Sequence, residues 1–245
     1  MTTVSPVERW TTGSGIRIRY LDNAPEAPLG LPVLFSPGLT DFADDYLALL
    51  ELFRPRRVLV VEVRGRGRSE SPRRGYAVAD HVRDLEAVIN EEGLHRFHLM
   101  TFSRGTSWAL DLALADPTRI ASLSIGDYLA EEIRLPEAFV DDQMRSRWRG
   151  LPMPERVQRH VIAELQAQSR ARDLWDAIGR LPVPLLVAHG RDGGILREPA
   201  LAHYRAVRPD VEIVTIPDAT HDVFRPDRTA YPAAVLDFIA RRELD

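Results

Sequence analysis

A serine held where an apolar strand turns abruptly into a helix is a candidate nucleophile, and Ser103 is so placed within Phe97-His-Leu-Met-Thr-Phe-Ser-Arg-Gly-Thr106. Such a turn strains the serine backbone, lifts the hydroxyl clear of the sheet and points the Arg104 N–H toward the same space. The usual pattern is Gly-x-Ser-x-Gly; Gly105 supplies its second glycine, and Thr101 replaces the first. The bland alternative is that Ser103 merely caps the helix running through Trp108–Leu114. An alcohol is a poor nucleophile at neutral pH, so Ser103 needs a base. His221 is the candidate, because it follows the strand pattern Val211–Ile216 after a short loop and so reaches the same sheet edge. His81, His160 and His203 sit in helical patterns and read as solvated, whereas His95, His98 and His189 sit in a turn or on strands and read as structural.

The elements that must position these residues follow from hydrophobic periodicity. Short runs rich in Val, Leu and Ile, separated by helical patterns, read as strands buried on both faces. They fall near Ile16–Leu21, Pro32–Ser36, Arg57–Val63, Phe97–Phe102, Ile120–Ile125, Pro184–His189 and Val211–Ile216, with Glu8–Thr11 as a hairpin partner for the first. Helical patterns lie at Asp44–Phe53, Ala79–Glu92, Gly105–Ala115, Pro199–Val207 and Ala230–Arg242. Repeated β-α units predict an α/β fold, a mostly parallel central sheet with helices on both faces. Leu129–Leu181 fits no strand slot: it is polar, interrupted by Pro136, Pro152 and Pro154, and helical in pieces such as Glu155–Arg172. The chain therefore reads as a core of residues 1–128 and 182–245 with a helical cap, residues 129–181, inserted above the strand ends. Phe139, Met144 and Trp148 are the expected substrate-facing residues of that cap.

Four landmarks occur in order: Leu34-Phe-Ser-Pro-Gly-Leu-Thr40, Val61-Glu-Val-Arg-Gly-Arg-Gly-Arg-Ser69, the turn at Ser103, and Ala219-Thr-His-Asp-Val-Phe224. Together they resemble the α/β-hydrolase superfamily over nearly the whole chain, with Pro37 standing where a histidine is usual and Glu62 where an aspartate is. The resemblance implies a second oxyanion donor beside the Arg104 N–H, namely the N–H of Leu39, with Thr40 the lesser choice. It also implies a carboxylate to orient His221. Relatives most often place this acid a few residues beyond the glycine ending the next-to-last strand, here Gly190, but the ungapped reading puts Gly193 and Gly194 there. Asp192 lies one residue early. Asp127, directly after Ala121-Ser-Leu-Ser-Ile-Gly126, is the location used by some relatives, including certain haloalkane dehalogenases. Both strand ends face one crevice, so Asp127 is preferred, Asp192 is the alternative, and a Ser-His dyad remains the third possibility.

Composition bounds the partners. The 245 residues, 44% of them apolar, suffice for one sizeable core without internal repeats, and a formal charge of −4 gives no drive toward nucleic acid or anionic lipid. The absence of cysteine excludes disulfides, thiolate metal sites and cysteine nucleophiles. No apolar leader or bilayer-length segment is visible, so a cytoplasmic protein with no membrane association is expected. Gly65-x-Gly67 lacks the rest of a dinucleotide fingerprint, His160 and Glu164 lack a third metal ligand, and Arg145-Ser-Arg-Trp-Arg149 reads as a solvated face over Trp148, with a substrate-facing basic patch as the alternative. The expected activity is cofactor-free and metal-free hydrolysis of a small carboxylic ester, lactone or thioester through an acyl-enzyme on Ser103. The alternatives are acyl transfer, C–C bond hydrolysis or lyase chemistry at the same site, or a non-catalytic ligand-binding protein.

Overall fold

The computed structural model describes residues 5–244; residues 1–4 of the N-terminal stretch and residue 245 lie outside the described residues. Eight strands form one sheet: β1 (Val7–Thr11), β2 (Ile18–Asp22), β3 (Val33–Ser36), β4 (Val58–Glu62), β5 (Phe97–Phe102), β6 (Ile120–Gly126), β7 (Leu185–Gly190) and β8 (Glu212–Ile216). Their spatial order is β1-β2-β4-β3-β5-β6-β7-β8. β1 and β2 pair antiparallel, β2 joins β4 antiparallel, and the remaining pairings are parallel. The parallel crossovers carry the helices.

Strand periodicity divides the core into two faces. Leu34, Leu59, Val61, Leu99, Leu185 and Val187 point to one side, where α2 (Val78–Glu91), α3 (Gly105–Ala115) and α8 (Glu198–Val207) cover them with residues such as Leu85, Val88, Trp108 and Leu201. Phe35, Val58, Val60, Met100 and Leu186 point to the other, against Leu49 and Leu50 of α1 (Leu47–Leu52) and Val235, Phe238 and Ile239 of α9 (Ala230–Leu244). Each of these side chains contributes about 1.5–3 kcal/mol on burial; truncating one at the centre, such as Leu99→Ala, would cost about 2–5 kcal/mol.

Between β6 and β7 the chain builds α4 (Phe139–Arg145), α5 (Met153–Arg156), α6 (Arg159–Gln168) and α7 (Trp175–Arg180). Glu131–Glu132 pairs antiparallel with Arg172–Asp173, which brings the two ends of this stretch together. The helix expected over Glu155–Arg172 is instead broken between α5 and α6. Val157 there is extended, with φ −151° and ψ 143°, and bridges to Arg66 of the loop after β4. A small third cluster, including Tyr76, Leu135, Met153, Val161 and Leu165, packs this stretch onto the body. Among the described residues no helix is long and apolar enough to cross a membrane.

Candidate active site

Ser103 sits in the two-residue turn between β5 and α3 with φ +51°, a left-handed conformation that a serine adopts only when its surroundings impose it. Close packing imposes it here. A Cβ on Gly105 would lie 2.2 Å from the Pro37 carbonyl oxygen and 2.4 Å from that of Ser36, so α3 can start this near β3 only with glycine. Thr101, where a glycine is usual, fits because its hydroxyl is buried against the Thr106 hydroxyl at 2.8 Å and the Ser124 carbonyl at 3.3 Å. The β-branched side chain costs little when its only polar atom is satisfied.

Ser103 Oγ lies 2.8 Å from Nε2 of His221. On the far side of the ring, Nδ1 is 2.7 Å from Oδ2 of Asp127, which is fully buried at the end of β6 with φ +45°. Backbone N–H groups of Ile195 and Leu196 donate to the same carboxylate at 2.8 and 3.3 Å. Asp127 is thus fully solvated by the protein. The Gly193-Gly194 pair acquires a physical reason: a Cβ on Gly194 would come within 2.5 and 2.6 Å of the two Asp127 carboxylate oxygens. The place that a carboxylate on this loop would occupy is filled from β6. Asp192 is exposed, and its N–H donates to the Ala219 carbonyl at 2.9 Å, steadying the loop that carries His221. The imidazole also lies over Phe102, with ring centroids 5.2 Å apart.

The Pro37-Gly38-Leu39 turn presses directly on the serine, since a Cβ on Gly38 would meet Ser103 Cβ at 3.3 Å and an Asp41 oxygen at 2.6 Å. Buried side chains hold it. Asp41 accepts the Gly38 N–H at 2.8 Å and the Tyr46 hydroxyl at 2.6 Å, Arg66 Nε donates to the Leu39 carbonyl at 2.7 Å, and Arg156 Nε to that of Thr40 at 3.0 Å. Among the described residues the N–H groups of Leu39 and Arg104 have no acceptor, and both residues line the cavity beside Ser103. Burial works to raise the Asp41 carboxyl, but the Arg149 charge and the hydrogen bonds from Tyr46 and Trp148 overcome it and hold it below the usual carboxylate range. Burial keeps Tyr46 protonated.

The cavity measures about 470 Å³ and is lined by Ser103, His221, Tyr128 and Ile195 from the body and by Phe139, Gln143, Arg147, Trp148 and Met153 from the stretch between β6 and β7. Phe139 and Trp148 therefore take the expected position. Met144 does not: Phe139 and Gln143 are four residues apart on one face of α4, and Met144, about 100° further round, packs instead against the small third cluster. Two readings of charged residues also change. Arg149 is not on a solvated face; its side chain is 2% exposed and salt-bridged to Asp222 at 2.8 Å. His81 is fully buried, stacked on Trp108 with ring centroids 4.1 Å apart. Asp41, Tyr46 and Arg149 carried no sequence signal of their own, and Arg66 stood out only within the Val61–Ser69 landmark, because most of their partners come from other loops.

The sequence profile described as the alpha/beta hydrolase family matches residues 33–237. The chain belongs to this family. Among its alpha/beta hydrolase relatives, the proposed carbamate hydrolase RutD of Variovorax paradoxus (strain S110) is 28% identical, over 86% of this chain and 92% of the relative. N-formylmaleamate deformylase of Pseudomonas putida is 26% identical, over 93% of this chain and 94% of the relative. The enol-lactonase from Burkholderia xenovorans LB400 has the same fold, with a TM-score of 0.80 and 18% identity over 95% of this chain and 100% of that one.

Proposed function

We propose that this alpha/beta hydrolase cleaves an acyl bond through a covalent intermediate on Ser103. The observation that carries the reading is the unbroken series Ser103 Oγ, His221, Asp127, with contacts of 2.8 and 2.7 Å, opening into a cavity at a strained strand-to-helix turn. Ser103 Oγ attacks the substrate carbonyl carbon while His221 Nε2 takes its proton. Asp127 holds the ring with Nδ1–H facing it and stabilises the imidazolium. The Leu39 and Arg104 N–H groups receive the developing oxyanion, and because their loops are already fixed they need no rearrangement. His221 then gives its proton to the leaving atom. Water, deprotonated by the same nitrogen, releases the acid and regenerates the serine.

Esters, lactones and thioesters meet these requirements. So do acyl–nitrogen bonds, a reading favoured by the two relatives above, whose names specify carbamate hydrolysis and deformylation. Residues 129–181 act as a lid that sets substrate choice, supported by the eight residues they contribute to the cavity wall. The test is covalent. A fluorophosphonate probe should label the protein once, and Ser103→Ala should abolish labelling together with p-nitrophenyl acetate hydrolysis. Labelling that survives in the alanine variant, or none in the wild type, would overturn the reading.

A further inference from the structure

A guanidinium keeps its charge at any physiological pH, so burying one without an anion is costly. Most buried arginines of this chain obey that constraint. Arg19 meets Glu62 at 3.0 Å, Arg64 meets Asp84 at 2.6 Å, Arg149 meets Asp222, Arg156 meets Asp45, and Arg208 meets Asp210 at 2.7 Å. Arg66 and Arg104 do not. They are 0% and 4% exposed, and among the described residues neither has a carboxylate oxygen within 4.0 Å. Each leaves a buried nitrogen unpartnered, Nη2 of Arg66 and Nε of Arg104.

Arg66 and Arg104 lie near enough for their charges to repel. Burial, with repulsion from Arg104 and Arg64 added, pushes Arg66 down to about 10. Arg66 is committed to the Leu39 carbonyl and to His81 Nε2, at 2.7 and 3.0 Å. Arg104 is less engaged: its Nη1 donates to the Ile133 carbonyl at 3.1 Å, and its charge acts on the buried Tyr128 phenol. Arg104, Ile133 and Tyr128 all line the cavity. Arg147 adds a further positive charge at the wall, while the charge of Asp41, also in the lining, is already met by Arg149, Tyr46 and Trp148. Among the described residues, Arg104 and Arg147 are thus the charged cavity-lining side chains with no carboxylate within 4.0 Å.

We propose that the Arg104 guanidinium, with the Tyr128 hydroxyl as a second donor, docks a carboxylate of the substrate. The substrate class is then an acyl compound that carries a free carboxylate, such as the half ester or half amide of a dicarboxylic acid. The inference rests on the reading of Ser103 as nucleophile only in calling this anion a substrate; the anion site itself does not depend on it. Arg104 thus has two parts, its backbone N–H facing the oxyanion and its side chain selecting the anion. The carboxylate charge is present in ground and transition state alike, so its loss falls mainly on KM.

The binding test uses the Ser103→Ala protein, which cannot turn over. Isothermal titration with monomethyl malonate, succinate, glutarate and adipate is compared with the uncharged methyl ester primary amides of the same diacids, a series that spans a range of reach. At least one half ester should bind about tenfold or more tighter than its amide, and Arg104→Gln in the same background should remove that preference. Tyr128→Phe should reduce it, and provides the second variant if Arg104→Gln fails to fold. In the active protein the ratio of kcat/KM for half ester over half-amide ester should fall by the same factor in Arg104→Gln and recover in part in Arg104→Lys, so that any general loss of activity cancels. Equal affinity for charged and uncharged probes across the series, or a preference unchanged in Arg104→Gln, would overturn the proposal. Anion binding by a protein whose Ser103 does not react with fluorophosphonate would overturn the nucleophile and leave the anion site standing.

Discussion

Arg149 donates through Nε and Nη2 to the two carboxylate oxygens of Asp222, at 2.8 and 2.9 Å, and Asp222 is the residue after His221. The same guanidinium lies 3.4 Å from Asp45 and 3.7 Å from Asp41. Asp41 in turn holds the Gly38 N–H and, at 2.7 Å, Trp148 Nε1. One buried cation therefore ties three segments distant in sequence: the turn at Trp148-Arg149, the Gly38 loop and the His221 loop. Arg149 has φ +46°, which costs about 1–3 kcal/mol in a non-glycine residue. The buried ion pairs and the faces of Tyr46 and Trp148, 4.8 and 5.5 Å away, offset that strain.

Arg149→Met should accordingly destabilise the fold by about 3–5 kcal/mol, since it strands buried carboxylates. Thermal unfolding should drop by roughly 10 °C for a domain of this size. Adding Asp222→Asn removes one stranded charge, so the double variant should lose less than the sum of the two single variants. Strict additivity in chemical denaturation would show that the pair is not coupled.

Asp127→Asn should reduce turnover by about 10⁴, because the amide favours the wrong tautomer of His221 and cannot stabilise its cation. Asp192→Asn, at an exposed turn, should stay within about a factor of two. Gly194→Ala approaches the same carboxylate from outside, pushing it off the imidazole, and should cost about 10² in turnover with little change in KM. Steady-state kinetics on one ester decides all three; a damaged Asp192→Asn beside an active Asp127→Asn would reverse the assignment of the acid.

Stability should depend on pH through His81. Burial, reinforced by the Arg66 charge, holds its imidazole well below the usual value. The unfolded ring takes up its proton near pH 6.5, whereas the folded ring does not. The contribution is therefore complete above about pH 7 and declines as pH falls, by up to ~1.4 kcal/mol per unit. Urea unfolding at pH 7, 6 and 5 should show a shallower decline in His81→Gln than in wild type. Parallel slopes would mean that His81 is not the group responsible.

Local patterns in the sequence were enough to place the strands of the sheet, since a short continuous apolar run set between helical patterns depends only on neighbours along the chain. Phe97–Phe102 and Gly105–Ala115 were legible to the residue, because Ser103-Arg104-Gly105 leaves the chain no room except in a sharp turn. The stretch between β6 and β7 was legible as helical in pieces and not as strand, but its breaks were not. Its break at Val157 depends on a bridge to Arg66, and Met144 turns from the cavity because of where α4 lies on its neighbours. The choice between Asp127 and Asp192 stayed open in the sequence, since both follow strands that end in the same crevice. Only the folded chain brings one of them, 94 residues from His221, to 2.7 Å, and fills with it the space beside Gly194. Arg149 was misread for the same reason: a charge looks solvated until three loops bring carboxylates to it, and burial of an ion is decided by its tertiary partners, not by its own polarity.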